Sequence, residues 1–92
     1  ETVLYYSCQN GNDDKVKYLI EQGVNLNKAN INGETPLYVA CEHGNENIIK
    51  YLVEQGADIN IENENDGETP IFAACRNGNL NIVKYLIEHD AD

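Results

Sequence analysis

In the middle of the chain, apolar positions fall into two short groups, each spaced like one face of a helix. Leu37, Ala40 and Cys41 share a face in the first group. Thr35 can cap the start of this helix with its hydroxyl. Pro36 suits the first helical position, because no amide donor is needed there. The pattern therefore predicts a short helix that begins directly after Thr35.

The second group predicts another helix directly after the first. Gly44 can adopt the left-handed conformation that ends the first helix, and Asn45 is a good cap for the next one. The apolar residues of the second helix follow an i, i+1, i+4, i+5 pattern: Ile48, Ile49, Leu52 and Val53. Gly56 ends this helix, and the segment 57–67 is rich in Asn, Asp and Gly, which favours a turn.

This two-helix unit recurs along the chain. Residues repeat 34 positions later: Gly33, Thr35, Gly44, Leu52 and Ala57 recur as Gly67, Thr69, Gly78, Leu86 and Ala91. Residues also match 33 positions earlier: Thr2, Cys8, Gly11, Leu19 and Gly23 precede Thr35, Cys41, Gly44, Leu52 and Gly56. A period in this range indicates stacked repeats, in which each unit buries its apolar face against a neighbour and about three units are needed for stability.

The recurring motif, G-x-T-P-L followed by A-x-x-x-G and a closing G-A-D-x-N, resembles the ankyrin repeat. The resemblance covers essentially the whole chain. It implies an all-α repeat fold, an ankyrin-type α-solenoid of about three stacked helix-turn-helix units joined by short β-hairpin loops. We expect one domain over residues 1–92, with units at about residues 1–29, 30–63 and 64–92.

The first and last units depart from this pattern. Val3 replaces the expected Pro, and Lys15 stands where Ile48 lies on the apolar face, so we expect its ammonium group to reach solvent. Asp90 stands where the other units have Gly. The apolar side of the last unit would be open, whereas terminal repeats normally carry a polar outer face. We therefore expect a fragment of a longer array, or an end covered by contacts with other molecules.

The loop after the central unit is one residue longer than the loop before it, and the extra residue lies within segment 61–65. This difference predicts a bulge or a wider hairpin turn in the second loop.

The formal net charge is −10. This charge disfavours nucleic acid as a partner, because binding its backbone needs clustered Lys and Arg, and it disfavours an anionic membrane surface. It would attract a basic protein partner, or it serves only to keep a repeat stack in solution. No apolar run approaches ~18 residues and no signal peptide is visible. We therefore expect an intracellular, cytoplasmic location.

Residues that often carry chemistry follow the repeat instead. Cys8, Cys41 and Cys75 occupy one position in successive helices, and stacked helices lie ~8–10 Å apart, too far for shared zinc ligation or an unstrained disulfide. We expect all three to be small buried residues. His43, which we expect to be exposed, and His89 accompany no recognisable nucleophile motif, and no phosphate-binding or metal-binding loop is present. The sequence predicts no enzyme activity and no cofactor.

Aromatic residues also follow the period. Tyr5, Tyr38 and Phe72 lie near the start of each first helix, and we interpret them as a ladder of rings stacked between units. Ankyrin repeats usually have His at this position. Its replacement weakens the expectation of the hydrogen bond that this His makes to the neighbouring hairpin.

Positions that differ between units are free to serve recognition. In ankyrin-like folds, hairpin tips and the exposed face of the first helices line a concave groove. The matching positions predict the partner-binding surface: Gln9, Asn10, Ile31, Asn32, Glu34, Glu42, His43, Asn65, Asp66, Glu68, Arg76 and Asn77. Ile31 is an apolar residue at an expected exposed tip and is a candidate anchor. Arg76, the sole cation on this surface, can pair with a partner's carboxylate or with Glu42 across the stack.

We interpret the chain as a non-catalytic protein-protein interaction module that binds an unidentified partner protein through this groove. One alternative is a structural spacer, or a repeat stack that self-associates end to end through uncapped terminal units. Another is the targeting arm of a larger enzyme, channel or secreted effector. The fold alone gives only an association with function.

Overall fold

The computed structural model describes residues 2–89 as six helices arranged in three helix-turn-helix units. The helices are α1 Thr2–Asn10, α2 Asp13–Glu21, α3 Pro36–His43, α4 Glu46–Glu54, α5 Pro70–Asn77 and α6 Leu80–Glu88. We call α1–α2, α3–α4 and α5–α6 the first, second and third units. The first helices pack side by side, with α3 between α1 and α5, and α2 packs on α4. This is the predicted all-α repeat solenoid.

The predicted start and end of α3 are confirmed. The Thr35 hydroxyl accepts a hydrogen bond from the Tyr38 backbone N–H at 3.3 Å, and Pro36 is the first helical residue. Gly44 follows the helix with φ 72°, in the left-handed region. These local features hold because a short helix needs its free N–H and C=O groups satisfied at both ends.

Asn45 precedes α4 at the predicted cap position, but its side chain does not cap α4. Its amide instead donates to the Cys8 carbonyl oxygen of the first unit, at 2.9 Å. The equivalent Asn12 and Asn79 do cap their own helices, accepting from backbone N–H groups three residues ahead. At the centre of the stack, the bond to a neighbouring unit has replaced the local cap.

The core is centred on the second unit, which has a neighbour on both sides, and it extends into the first and third units. Residues 36–41 of α3 are all buried, and the Leu37 side chain is 1% exposed. In the third unit the equivalent Ile71 is only half-buried, and Phe72 is exposed. Burying a side chain of this size contributes ~1.5–3 kcal/mol, so the central unit supplies the largest share of the stabilising apolar burial.

Burial of the equivalent cysteines also depends on whether a following unit covers them. Cys8 and Cys41 are buried as predicted, and burial raises the pKa of each thiol to about 12. The prediction for Cys75 is wrong: this residue is exposed, because no described unit packs over that side of α5. Lys15 is exposed, as its position predicted. Asp90, which stands where the other units have Gly, lies outside the described residues.

Two hydrogen-bonded turns link the units at one edge. In the first turn, residues 30–34, the Asn30 N–H donates to the Glu34 carbonyl at 2.9 Å. In the second turn, residues 63–68, the Asn63 N–H donates to the Glu68 carbonyl at 2.6 Å. The second turn encloses one more residue, which confirms the predicted wider loop. The expected β-hairpins do not extend into strands anywhere in residues 2–89, because one bond across each base is too little pairing.

The ring ladder predicted for the first helices is wrong: across residues 2–89, the ring contact that forms joins Tyr85 and His89. On the second helices, tyrosines instead meet lysines of the preceding unit. The Lys17 ammonium lies 5.5 Å from the centre of the Tyr51 ring, and Lys50 lies 5.7 Å from that of Tyr85. Cation–π contacts of this kind contribute ~0.5–1 kcal/mol at exposed sites.

Candidate functional site

A groove of about 530 Å³ opens between α1, the first turn and α3; we call it the first groove. Each of the three elements contributes side chains from residues that differ between units. Residues of the predicted partner-binding surface that line it are Gln9, Ile31, Asn32, Glu34, Glu42 and His43. The structure therefore brings half of that surface together in one concave site.

The first groove is also lined by residues outside the predicted partner-binding surface. Tyr6 of α1 lines it with a largely exposed ring, and its equivalents in the later units are Val39 and Ala73. The same criterion of difference between units would have identified it. Lys28 also lines the groove, so Arg76 is not the sole cation near this surface.

Ile31 projects from the first turn with a side chain that is 101% exposed. The turn beneath it is held by Asn30, whose side-chain oxygen accepts from the backbone N–H groups of Asn32 at 2.9 Å and Glu34 at 3.0 Å. These bonds fix the backbone on both sides of the apolar side chain. Ile31 is thus presented at the groove by a preorganised loop.

Other predicted binding residues connect neighbouring units. The Asn65 amide donates to the Asn32 carbonyl at 2.7 Å, and the Asn77 amide donates to the Glu42 carbonyl at 3.2 Å. Asp66 accepts from a backbone N–H within the second turn. These residues, with Asn10, do not line the first groove.

Arg76 forms an ion pair with Glu68 and donates to the Tyr38 hydroxyl at 2.8 Å. The predicted pairing of Arg76 with Glu42 is wrong, because Glu68 and Tyr38 hold its guanidinium group. The hydrogen bond from Arg76 holds the pKa of the Glu68 carboxyl below its usual value. The Arg76 pKa is raised in turn, chiefly by its hydrogen bond to Glu68, and burial raises the pKa of Tyr38.

The tyrosines at the family's histidine position still reach the loops. The Tyr38 hydroxyl donates to the Glu68 carboxylate of the second turn at 3.1 Å, and the Tyr5 hydroxyl donates to the Lys28 carbonyl. The replacement of His put a hydrogen bond from this position to the loop in doubt, but the bond forms from both tyrosines. A phenol is longer than an imidazole, and its hydroxyl supplies the donor that the missing His would have supplied.

Within residues 2–89, no group of three or more His, Cys, Asp and Glu side chains is placed to hold a metal ion. His43 is exposed, as predicted, with its Nδ1 3.1 Å from the Val39 carbonyl oxygen. Over the same residues, no helix combines the length and the apolar character that crossing a bilayer requires.

Three helix-turn-helix units, stacked through their first helices and joined by turns that border a groove, define a repeat protein of the solenoid class. A family model described as ankyrin repeats, in three copies, matches residues 1–63 and 57–92. The chain belongs to the ankyrin-repeat family. Ankyrin repeats are in general protein-protein interaction modules, and the family is typically non-catalytic. Among curated proteins, the comparison finds no match to this chain.

Proposed function

We propose that this domain binds a partner protein through the first groove. The observation that carries the proposal is the opening of about 530 Å³ beside the fully exposed Ile31. Most of the other apolar side chains in the second unit are buried, so an exposed isoleucine at a groove is a natural anchor. Burying it against a partner would contribute ~1.5–3 kcal/mol.

The groove is suited to binding because its walls belong to the ordered stack. The first turn is fixed by Asn30, and α3 is packed between α1 and α5. A site that needs little rearrangement loses less conformational entropy when a partner binds. The net charge of −10 favours a protein over nucleic acid or an anionic membrane.

Affinity capture from a cell lysate tests the proposal, with bound proteins identified by mass spectrometry. The native domain is compared with Ile31→Ser and with Ile87→Ser, which alters an isoleucine of α6 that is 57% exposed and outside the groove. We expect one partner to be retained by the native domain and Ile87→Ser and depleted at least about tenfold by Ile31→Ser. Equal retention by all three proteins would place the binding site elsewhere.

A second candidate function, end-to-end self-association, is favoured by the apolar side chains exposed on the third unit. Phe72, Leu80 and Ile87 are each more than half exposed. Mutual repulsion between copies of charge −10 opposes such association. Sedimentation velocity over a hundredfold concentration range distinguishes the two, because a groove-binding monomer keeps a constant sedimentation coefficient and a self-associating stack does not.

A further inference from the structure

The first groove has an internal counterpart one unit further along the chain. There, Arg76 occupies the space between the second turn and α3, held by the Glu68 carboxylate and the Tyr38 hydroxyl. In the first groove, Glu34 stands at the position of Glu68, Glu42 at that of Arg76, and Tyr5 at that of Tyr38. Both sites therefore have a glutamate in the turn, but the first groove has a second carboxylate, Glu42, where the other site has the arginine.

This replacement leaves the first groove open and negatively charged. Glu34 is half-buried at its edge, Glu42 is exposed, and both line the cavity. Lys28 lines it as well, so the two carboxylates and one ammonium group among the lining side chains give a formal charge of −1. One added cation neutralises that charge. The groove therefore has no guanidinium group at the position that Arg76 occupies one unit later.

We propose, building on the function proposed above, that the first groove receives an arginine side chain from an extended segment of the partner protein. Its guanidinium group binds Glu34 and Glu42, at the place that Arg76 occupies one unit later. An apolar side chain next to that arginine packs against Ile31. Arginine is favoured over lysine because its planar group donates to two carboxylates at once, which an ammonium does less well.

The apolar lining fits the same occupant. Tyr6 presents an exposed ring to the cavity, and guanidinium groups stack on aromatic faces. The methylene stem of an arginine also covers apolar surface while its charged end reaches polar groups. A neutral apolar segment would use Ile31 and Tyr6 but would leave the −1 charge uncompensated.

The test is an NMR titration of the ¹⁵N-labelled domain at pH 7.5 and low salt. The probes are the capped peptide acetyl-Gly-Leu-Arg-Leu-Gly-amide and the same peptide with citrulline, a neutral isostere of arginine. We expect the arginine peptide to shift the amides of Ile31, Glu34 and Glu42, and to bind at least about fivefold more tightly than the citrulline peptide. Glu42→Gln should reduce that preference, because it removes one of the two carboxylates at nearly constant shape.

Two charge-reversal variants, at Glu42 and at Arg76, test whether the first groove and the Arg76 site are equivalent. Glu42→Arg should form with Glu34 the ion pair that Arg76 forms with Glu68, and so exclude the peptide from the first groove. Arg76→Glu should open the equivalent space, so that the arginine peptide also shifts the amides around Glu68. A dispersed amide spectrum of each variant establishes that it is folded, and Glu42→Gln carries the test if either charge reversal unfolds.

The outcomes separate this inference from the proposed function. Equal affinities for the arginine and citrulline peptides, with shifts confined to the first groove, would overturn the arginine inference and leave groove binding intact. Shifts confined to other surfaces, or none at millimolar peptide, would overturn the inference, and capture of a partner that depends on Ile31 would then show that the proposed function survives.

Discussion

Gly33 of the first turn lies directly against Glu64 of the second. A Cβ atom built on Gly33 would come within 2.7 Å of the Glu64 Cβ and 2.8 Å of its backbone N. Cβ atoms essentially never approach other heavy atoms this closely. The two turns therefore stack through main-chain contact at the one residue type that permits it. The spacing of the repeats at this edge therefore depends on that glycine as well as on the packing of the helices.

We expect Gly33→Ala to destabilise the domain more than Gly67→Ala. Both glycines have positive φ, 76° and 72°, so each substitution should cost ~1–2 kcal/mol through the backbone alone. Gly67 has no atom within 4 Å of its Cβ position, whereas Gly33→Ala must also displace the second turn, at a further ~1–3 kcal/mol. Urea denaturation measures both losses. Equal losses would show that the second turn moves aside freely.

We expect the pKa of Glu68 to rise towards its usual value in Arg76→Gln, because the hydrogen bond from Arg76 is the main cause of its depression. Arg76→Lys should keep part of the depression, since it retains the charge but not the forked donor. Carbon-13 NMR titration of the Glu68 carboxyl provides the measurement. An unchanged pKa in Arg76→Gln would contradict the ion pair.

The same shift predicts how stability depends on pH. The folded-state pKa of Glu68 is lower than that of the unfolded chain, so the ion pair stabilises the fold above the unfolded-state pKa. That contribution disappears as the pH falls through the folded-state pKa. The advantage of the native domain over Glu68→Gln should therefore be largest near neutral pH and shrink in acid, as measured by urea denaturation at each pH. A constant difference would contradict the linkage.

We expect one cysteine to react rapidly with iodoacetamide in the folded domain, and it should be Cys75. Cys8 and Cys41 are buried, and with a pKa of about 12 only about one thiol in ten thousand is a thiolate at pH 8. Peptide mapping after timed alkylation identifies the modified residue. Cys75→Ser should remove the fast phase, and urea should expose the two slow thiols. Rapid modification of Cys41 in native buffer would contradict the burial of α3.

Leu37→Ala should cost more stability than Ile71→Ala, although the two residues occupy the same place in successive units. Leu37 is almost fully buried, so its truncation should cost ~2–5 kcal/mol, whereas the half-buried Ile71 should cost less than ~2 kcal/mol. Urea denaturation at constant pH compares them. Equal losses would indicate that the third unit is covered in solution, which sedimentation would then detect.

The helices and their boundaries could be predicted because they depend on neighbours in the sequence. Thr35 and Pro36 start α3 and Gly44 ends it, each through its own backbone preference. The repeat period also predicts stacked units, although it contains no information on the contacts between them. The exposed position of Ile31 could be predicted for the same reason, since the position of the first turn follows from the period.

The polar contacts between units could not be predicted in the same way. Arg76 had two candidate partners on the sequence, and the choice depends on side-chain reach across the stack, which the period does not specify. It pairs with Glu68, eight residues away along the chain, rather than with Glu42. The predicted burial of Cys75 is wrong because burial at this position depends on a following unit, which covers Cys8 and Cys41, and not on the residue type.

Three bonds between units use main-chain acceptors and do not depend on the side chains that line the first groove. The amides of Asn45, Asn65 and Asn77 each donate to a main-chain carbonyl of the preceding unit. One of those carbonyls belongs to Glu42, whose side chain lines the first groove. A main-chain acceptor persists whatever side chain the residue carries, so groove residues can be exchanged while the units stay joined. Substitutions among the side chains of the first groove therefore leave these bonds in place, which makes the groove a suitable surface for directed evolution.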